Sequence, residues 1–374
     1  MTTKDMGYRM PAEWHPHSGT LLSWPYNRET WPGERLPRVE KVYIDIIRAL
    51  FPHEPIHLLV NDEAVKARVL GLFKENGLPM DAVTFHVRTT NDVWARDFGP
   101  IFVLRQDDSS LRHASSAYGP HIQPNAPSAL MADKWPKVAI TDWGYNAWGG
   151  KYPPYDSDDA VPAYLAEQFG IRRFAPGMIL EGGSIETNGN GVMLTTESVL
   201  LTPTRNPHLT KTDIEQRLKD YLGQDRVIWL KEGLAGDDTD GHIDDLSRFL
   251  TRNTIMTMMT DDPTDVNYRV LHENREILQD TGFDIIDIPM PLTRIEGTTV
   301  DGSEHVPASY ANFYVANGVV LLPLYDKRHD GYVVDIFRQY FPDRIVVPIP
   351  CQDLVWGQGS IHCITQQLYG TSEF

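Results

Sequence analysis

Short apolar runs alternate with amphipathic helical patterns along most of the chain, and the same order recurs. In the first unit an apolar run at 19–25 precedes a helical stretch, and a second apolar run follows at 56–60. This order predicts a strand, a helix and another strand. The apolar face of the predicted helix consists of Leu36, Val39, Tyr43, Ile46, Ile47 and Leu50.

Four further units follow the same order at 138–169, 200–230, 254–286 and 319–347. In the unit that begins at 200, residues 200–204 predict a strand. The capping-box pattern that starts at Thr212 predicts a helix, and Gly223 predicts its end. The copies are loose, but their number predicts an α/β fold built from five equivalent units.

Each unit is preceded by a short segment that contains polar or charged residues among apolar ones, called a polar-marked segment below. We predict that each of these segments is one more strand. These segments are 94–100, 181–186, 242–244, 308–313 and the stretch around Cys363. No helix follows the last one, so we predict that it pairs with the first unit and closes a ring. Such strands would converge on one axis, and residues distant in sequence would share one pocket.

Composition narrows the class of protein. The 374 residues are 41% hydrophobic and 23% charged, without a low-complexity linker, which favours a single domain over 1–374. No apolar run is long enough for a membrane span and no signal peptide is recognisable, which favours a cytoplasmic protein without a membrane partner. The net charge of −17 argues against nucleic acid and suits a cationic substrate. A homo-oligomer is compatible with the sequence.

Cys363 is the first candidate for chemistry. Alternation over 357–365 predicts a strand with Ile361, Cys363 and Thr365 on one face, and the glycines before it would let a substrate approach the thiol. The cysteine is interpreted either as a nucleophile or as a small buried hydrophobic residue. The other cysteine, Cys351, does not complete the spacing of a zinc site.

The acidic segment 237–245 supplies two more candidates. On the predicted strand, His242 and Asp244 share a face, so an imidazole and a carboxylate would point at the same site. Alternatively, Asp244 only orients a structural histidine. The segment lacks the spacing and the final glutamate of an EF-hand loop, so we do not expect a metal site.

Asp97 and Glu181 lie beside glycine-containing turns, and each alone could cap a turn. A buried carboxylate is costly unless a cation or hydrogen-bond donors meet it, and with Asp244 these residues would place three carboxylates near one thiol, which calls for a cationic ligand. A guanidinium fits, because its planar N–H donors match paired carboxylates and its carbon would then face the sulfur.

Several motifs in the same order resemble the agmatine deiminase family, within the guanidino-modifying pentein superfamily. They lie at 10–14 (MPAEW), 94–97 (WARD), 146–150 (NAWGG), 181–184 (EGGS), 205–208 (RNPH), 239–244 (TDGHID) and 359–367 (GSIHCITQQ). The resemblance implies the pentein fold, a five-bladed, pseudo-fivefold α/β propeller. It also implies a catalytic group formed by Asp97, Glu181, His242, Asp244 and Cys363.

In the mechanism that we predict, Cys363 attacks the guanidinium carbon while the three carboxylates hold the group. His242 protonates the departing ammonia and then activates water to hydrolyse a thiouronium adduct. Trp94 and Trp148 would line the pocket. No cofactor and no metal is required. The favoured substrate is agmatine, a small cationic guanidino compound, which would give N-carbamoylputrescine and ammonia.

Three alternatives stay open. A peptidylarginine deiminase would share the chemistry but act on arginine within a polypeptide, through an open groove. A metal-dependent hydrolase would be built on Asp237, Asp238, Asp240 and His242. A propeller that binds ligands without catalysis is the third.

Overall fold

The repeated units correspond to five separate sheets in the computed structural model, which describes residues 1–105, 136–295, 298–299 and 301–371. The fold is mixed α/β. One four-stranded sheet has the strand order Thr365–Leu368, Gly19–Ser23, Ile56–Val60 and Thr84–Val87. The other has the order Tyr8–Arg9, Ile101–Arg105, Val138–Thr141 and Arg172–Phe174. The three-stranded sheets are Glu186–Thr187, Val192–Thr196, Arg226–Leu230; Ser247–Phe249, Thr254–Met259, Asp284–Pro289; and Tyr314–Ala316, Val319–Leu324, Ile345–Pro350.

All five sheets share one connection. A central strand pairs antiparallel with one neighbour and parallel with the next, and a crossover helix joins the parallel pair. The crossover helices are Arg35–Leu50, Val161–Phe169, Lys211–Leu222, Tyr268–Gln279 and Asp330–Tyr340, and Glu63–Glu75 is a further helix of the first sheet. The apolar face predicted for the first helix is buried throughout.

The C-terminal strand pairs with the first unit, as predicted. Thr365–Leu368 lies antiparallel to Gly19–Ser23, with Thr365 opposite Leu22. The last described strand therefore shares a sheet with the first unit, whereas Tyr8–Arg9 pairs with Ile101–Arg105 in the other four-stranded sheet.

The prediction that the polar-marked segments are strands is wrong. Four of them form short helical turns, Ala95–Phe98, Gly182–Ser184, Ile243–Asp245 and Ile361–Ile364, and 308–313 contains a turn in which Asn312 N donates to Ser309 O at 3.2 Å. Each turn comes shortly before the strand that pairs antiparallel with the central strand of its sheet. Buried backbone groups need hydrogen-bond partners, and a helical turn supplies them locally where no neighbouring strand can.

Two details of the unit that begins at 200 also differ. Residues 200–204 are not a strand, because Glu197–Leu200 is a short helix that follows the strand Val192–Thr196. The capping box consists of Thr210 and Asp213 rather than starting at Thr212, since Thr210 is the extended residue whose side chain accepts the Asp213 N–H. Gly223 ends this helix in the left-handed conformation, as predicted.

The remaining short helices are Lys4–Met6, Ala147–Gly150, Asp156–Asp159, Glu197–Leu200 and Val355–Gly357. Over the part of the chain that the structure describes, no helix is both long and apolar enough to cross a membrane.

Candidate active site

The short helical turns bring the predicted residues together. Ala95–Phe98 contacts both Ile361–Ile364 and Gly182–Ser184, and the latter contacts Ile243–Asp245. The five predicted catalytic residues lie in or directly before the short helical turns of four different sheets. All five are buried, and Cys363 is the most exposed at 5%; they are Asp97, Glu181, His242, Asp244 and Cys363. The site therefore lies where the turns meet.

The Cys363 thiol lies among polar groups. The side-chain amide of Asn312 donates to Sγ at 3.2 Å, and Asp244 Oδ2 lies 3.9 Å from Sγ. Burial, and then the charges of Asp244, Asp245 and Asp97, raise the pKa of the Cys363 thiol well above its ordinary value. The cysteine is consequently a neutral thiol in the free protein at neutral pH.

His242 faces two carboxylates. Its Nδ1 lies 3.7 Å from Asp97 Oδ1 and 4.0 Å from Asp244 Oδ1. Burial opposes protonation, but the charges of Asp97, Asp244 and Glu181 outweigh burial and raise the pKa of His242. The imidazole therefore favours its protonated form, which can donate a proton.

Two donors hold the Asp97 carboxylate. Trp148 Nε1 donates to Oδ2 at 3.0 Å, and the backbone N–H of Gly183 donates to Oδ1 at 3.0 Å. Burial raises the pKa of Asp97 to about 6, although His242 opposes the shift. Gly183 leaves no room for a side chain, since a Cβ there would lie 2.6 Å from His242 Nδ1 and 2.8 Å from Asp97 Oδ1.

Trp148 reaches Asp97 from a strained backbone. Its φ of 55° and ψ of 47° fall in the left-handed region, which bulky residues rarely adopt. The preceding Asn146 side chain accepts the Gly149 N–H at 2.9 Å and stabilises the turn. The strain is therefore retained at a residue that hydrogen-bonds a candidate catalytic carboxylate.

A chain of buried charged side chains runs from Asp244 through His362 and Glu13 to Arg248. His362 Nδ1 lies 2.6 Å from Asp244 Oδ2, and His362 Nε2 lies 2.8 Å from Glu13 Oε2. Arg248 Nη2 is 3.1 Å from the same Glu13 oxygen. Burial would raise the pKa of Asp244, but the hydrogen bond and charge of His362 outweigh burial and lower it. Asp244 is thereby held as a carboxylate.

Glu181 is paired on one side only. Its Oε1 accepts from Arg205 Nε at 2.9 Å. Arg205 also donates to Asp240 Oδ2 and, at 2.8 Å, to the carbonyl oxygen of Thr239. The guanidinium of Arg205 thus ties two neighbouring turns together.

Sequence reasoning did not assign roles to four residues that complete this site: Glu13, Arg248, Asn312 and His362. Asn312 lay in one of the polar-marked segments, and Glu13 and His362 lay in the quoted motifs. A signal was therefore present for these three. Arg248 stands in an apolar run, and its burial at 0% exposure is visible only in the fold.

Four polar atoms of the site lack a hydrogen-bond partner among the described residues. They are Glu181 Oε2, Asp244 Oδ1, and both ring nitrogens of His242. Buried polar atoms are normally paired, because an unmade hydrogen bond costs free energy. Acceptor oxygens and an imidazole in one buried place therefore suit a ligand that brings several N–H donors.

A cavity of about 470 Å³ leads to the site. Cys363, Asp97, Trp94 and Trp148 line it, whereas Glu181, His242 and Asp244 are not among its described lining residues. Two of these side chains adjoin lining residues, since Asp244 Oδ2 lies 3.9 Å from Cys363 Sγ and His242 Nδ1 lies 3.7 Å from Asp97 Oδ1. The volume of the cavity is in the range of small-molecule sites.

The wall of the cavity is predominantly acidic in its charged groups. It includes Glu29, Asp92, Asp158 and Asp238, and Lys151 is the sole cation among the lining residues that the structure describes. Lys151 Nζ is engaged, donating to Asp240 Oδ1 at 2.7 Å and to the carbonyl oxygen of Asp238. A cation is favoured in such a cavity.

The carboxylates of the metal-hydrolase alternative do not converge. Asp237 Oδ2 accepts the His242 N–H at 3.1 Å, Asp238 Oδ2 accepts the Tyr152 hydroxyl at 2.7 Å, and Asp240 pairs with Arg205 and Lys151. Within the described ranges, no group of three or more acidic, histidine or cysteine side chains could hold a metal ion.

Comparison with known proteins adds independent findings. Residues 9–368 match the model of the Porphyromonas-type peptidyl-arginine deiminase family. A relative from Legionella pneumophila (strain Paris), named "Putative agmatine deiminase", is 33% identical, with 97% of this chain and 96% of the relative covered.

Two solved structures are similar over nearly their whole length. The agmatine deiminase of Enterococcus faecalis has a TM-score of 0.82 at 28% identity, with 98% of this chain and 97% of that chain covered. A cysteine-to-serine variant of the C. jejuni agmatine deiminase with substrate bound has a TM-score of 0.80 at 27% identity, covering 97% and 96%.

Proposed function

Because the chain belongs to the Porphyromonas-type peptidyl-arginine deiminase family, we propose that it hydrolyses a carbon–nitrogen bond of a guanidinium group, with Cys363 as the nucleophile. The observation that carries this function is the set of unpartnered buried atoms on Glu181, His242 and Asp244 beside that thiol. A guanidinium supplies the N–H donors and the positive charge that these atoms require. The chain is a hydrolase of this deiminase class.

In the proposed reaction Asp97, Glu181 and Asp244 hold the guanidinium. The positive charge of the bound guanidinium offsets the negative charges that raise the pKa of the Cys363 thiol. The pKa therefore falls when substrate binds, and the thiol loses its proton to solvent. The thiolate forms a bond to the guanidinium carbon. His242, which favours its protonated form, donates a proton to the leaving nitrogen as the carbon–nitrogen bond breaks.

The product of this step is a thiouronium adduct on Cys363 and free ammonia. Neutral His242 then takes a proton from water, whose oxygen bonds to the adduct carbon. Breaking the carbon–sulfur bond releases the ureido product and restores the thiolate. The fixed carboxylates and His242 orient both steps, which is where most of the rate enhancement would arise. The C. jejuni relative was solved as a cysteine-to-serine variant with substrate bound, which is consistent with a cysteine nucleophile.

Agmatine is the substrate that we propose, and the relatives' names support it. Agmatine differs from arginine by lacking a carboxylate. Arg205, which contacts Glu181, and Lys151, which lines the cavity, are both engaged with protein acceptors and are not free to pair with a substrate carboxylate. The acidic cavity would instead repel one.

A panel of agmatine, free arginine and an arginine-containing peptide tests this function. We expect kcat/KM for free arginine to be roughly 100-fold or more below that for agmatine, since an unpaired carboxylate entering a buried site costs a few kcal/mol. The measurement is colourimetric detection of ureido product. Comparable values for agmatine and arginine would contradict the agmatine assignment, and a preference for the peptide would favour the peptidylarginine alternative.

The pH profile provides a second prediction. Asp97 must be ionised to pair with a guanidinium, and its pKa is about 6 rather than the ordinary 3.8. We therefore expect kcat/KM for agmatine to fall as pH drops through about 6, approaching tenfold per pH unit below it. A profile that stays level from pH 7 to pH 5 would show that Asp97 does not hold the substrate.

We also propose that the five sheets form a five-bladed propeller around the site, and that 1–374 is one domain. Three observations support this arrangement: the shared strand order, the contacts between the short helical turns, and the pairing of Thr365–Leu368 with Gly19–Ser23.

A further inference from the structure

Gln358, a residue that lines the cavity, carries an acceptor atom without a partner among the described residues. The residue is 5% exposed and lines the cavity with Cys363. Its Nε2 donates to Thr299 Oγ1 at 2.9 Å and to Asp301 Oδ1 at 3.0 Å. Because a carboxylate oxygen only accepts, these contacts fix which end of the amide faces Asp301. The amide oxygen therefore points the other way.

That oxygen, Oε1, is buried and has no hydrogen-bond partner among the described residues. An unpaired buried carbonyl is costly, and in a cavity wall it suits the N–H group of a ligand. The four unpartnered atoms described above surround the guanidinium position. Gln358 provides a fifth, on a residue that lines the cavity together with Asp97 and Cys363.

The backbone conformation of Gln358 is one that residues with a side chain rarely adopt. Its φ is 73° and its ψ 15°, a left-handed conformation that glycine adopts without cost. A residue with a Cβ is strained there, and such strain persists where the side chain or the surrounding structure requires it.

Asp238 adds an acidic group to the same wall: burial raises the pKa of its carboxyl to about 7, and a cation beside it would favour the ionised form. Its Oδ2 accepts the Tyr152 hydroxyl at 2.7 Å, and both side chains line the cavity. Asp301, which holds the Gln358 amide, is near enough to Asp238 to raise its pKa, after burial and Asp237. Gln358 and Asp238 thus belong to one neighbourhood, which offers acceptors and a carboxyl that a bound cation would ionise.

We infer that Gln358 determines substrate specificity: its Oε1 accepts a hydrogen bond from an ammonium group at the far end of the guanidino substrate, beside Asp238. This inference rests on the proposed function and identifies the part of the site that distinguishes agmatine from guanidino compounds without a second cation. A carboxylate at that end would meet the acceptor oxygen of Gln358, which cannot donate to it, and is rejected.

The test compares agmatine with 1-butylguanidine, which has the same carbon chain but no amine. Two variants, Gln358→Met and Gln358→Gly, remove the acceptor. Methionine keeps the length of the side chain, and glycine relieves the backbone strain. We expect the ratio of kcat/KM values, agmatine over 1-butylguanidine, to fall about tenfold or more in both, the scale of one hydrogen bond to a charged group.

Gln352→Met is the matched control, because Gln352 is exposed and is not among the described residues that line the cavity. Its ratio should equal that of the wild type. Thermal denaturation of each variant separates lost folding from lost recognition. A ratio that is unchanged in both Gln358 variants overturns the inference.

A binding measurement separates this inference from the proposed function. Calorimetry on Cys363→Ser protein gives Kd for the same two compounds with and without Gln358→Met. If the wild type hydrolyses neither compound, the proposed function fails, and the Kd ratio still decides the role of Gln358. A tenfold loss of the ratio supports that role, and an unchanged ratio overturns it.

Discussion

Cys363→Ser abolishes turnover and leaves the fold intact: we expect kcat for agmatine to fall roughly 10⁴-fold or more, the scale of loss when a catalytic nucleophile is removed. A serine hydroxyl is far harder to deprotonate than a thiol, and it needs an adjacent general base. Sγ contacts both polar atoms of the Asn312 side chain, Nδ2 at 3.2 Å and Oδ1 at 3.5 Å, and Asp244 Oδ2 at 3.9 Å. Neither side chain is placed as a base for a hydroxyl.

The measurement is ureido formation under single-turnover and steady-state conditions, with circular dichroism to check the fold. Cys351→Ala is the control, because Cys351 is the other cysteine and is also buried. Burial raises the pKa of Cys351 to about 12, so it is not expected to react. Substantial turnover by Cys363→Ser would remove Cys363 from the mechanism.

Asp97→Asn should produce the second largest effect, lowering kcat/KM for agmatine about 10²- to 10³-fold. The amide keeps the shape of the side chain but removes the charge that pairs with the guanidinium. Removing one partner of a buried charge pair costs ~3–5 kcal/mol. The amide can also present N–H groups to donors that now serve the carboxylate, Trp148 Nε1 and Gly183 N.

Kinetics should show a raised KM together with a lowered kcat, since Asp97 both binds and aligns the substrate. Asp287→Asn is the control: this exposed carboxylate pairs with Arg275 at 2.6 Å and is not among the described residues of the cavity. Wild-type kcat/KM in Asp97→Asn would place Asp97 outside the substrate site.

Much of the architecture is determined by local sequence. The apolar spacing of Arg35–Leu50 predicts its buried face because the period of a helix is a property of the backbone. The alternation of strands and helices, the end of Lys211–Leu222 at Gly223 and the pairing of the last strand with the first unit are likewise confirmed. The types of Asp97, Glu181, His242, Asp244 and Cys363 indicated a guanidinium before their positions were known.

The local structure of those residues was not predictable from alternation. In an apolar segment, alternation with a period of two residues is typical of a strand. Ile361–Ile364 and Ala95–Phe98 are nevertheless helical turns. A strand requires a partner strand for its backbone groups, and whether one is available depends on the neighbouring units. The choice between strand and turn was therefore made by tertiary packing.

Electrostatics were likewise decided only by the tertiary structure. Asp244 is ionised because His362 lies against it, and His362 in turn contacts Glu13, 349 positions away in the chain. Asp97 has a raised pKa because it is buried beside other carboxylates. A residue type determines which charges a side chain can carry. Burial and neighbours from distant segments determine which charge it does carry, because desolvation and Coulomb interactions depend on distance in space rather than along the sequence.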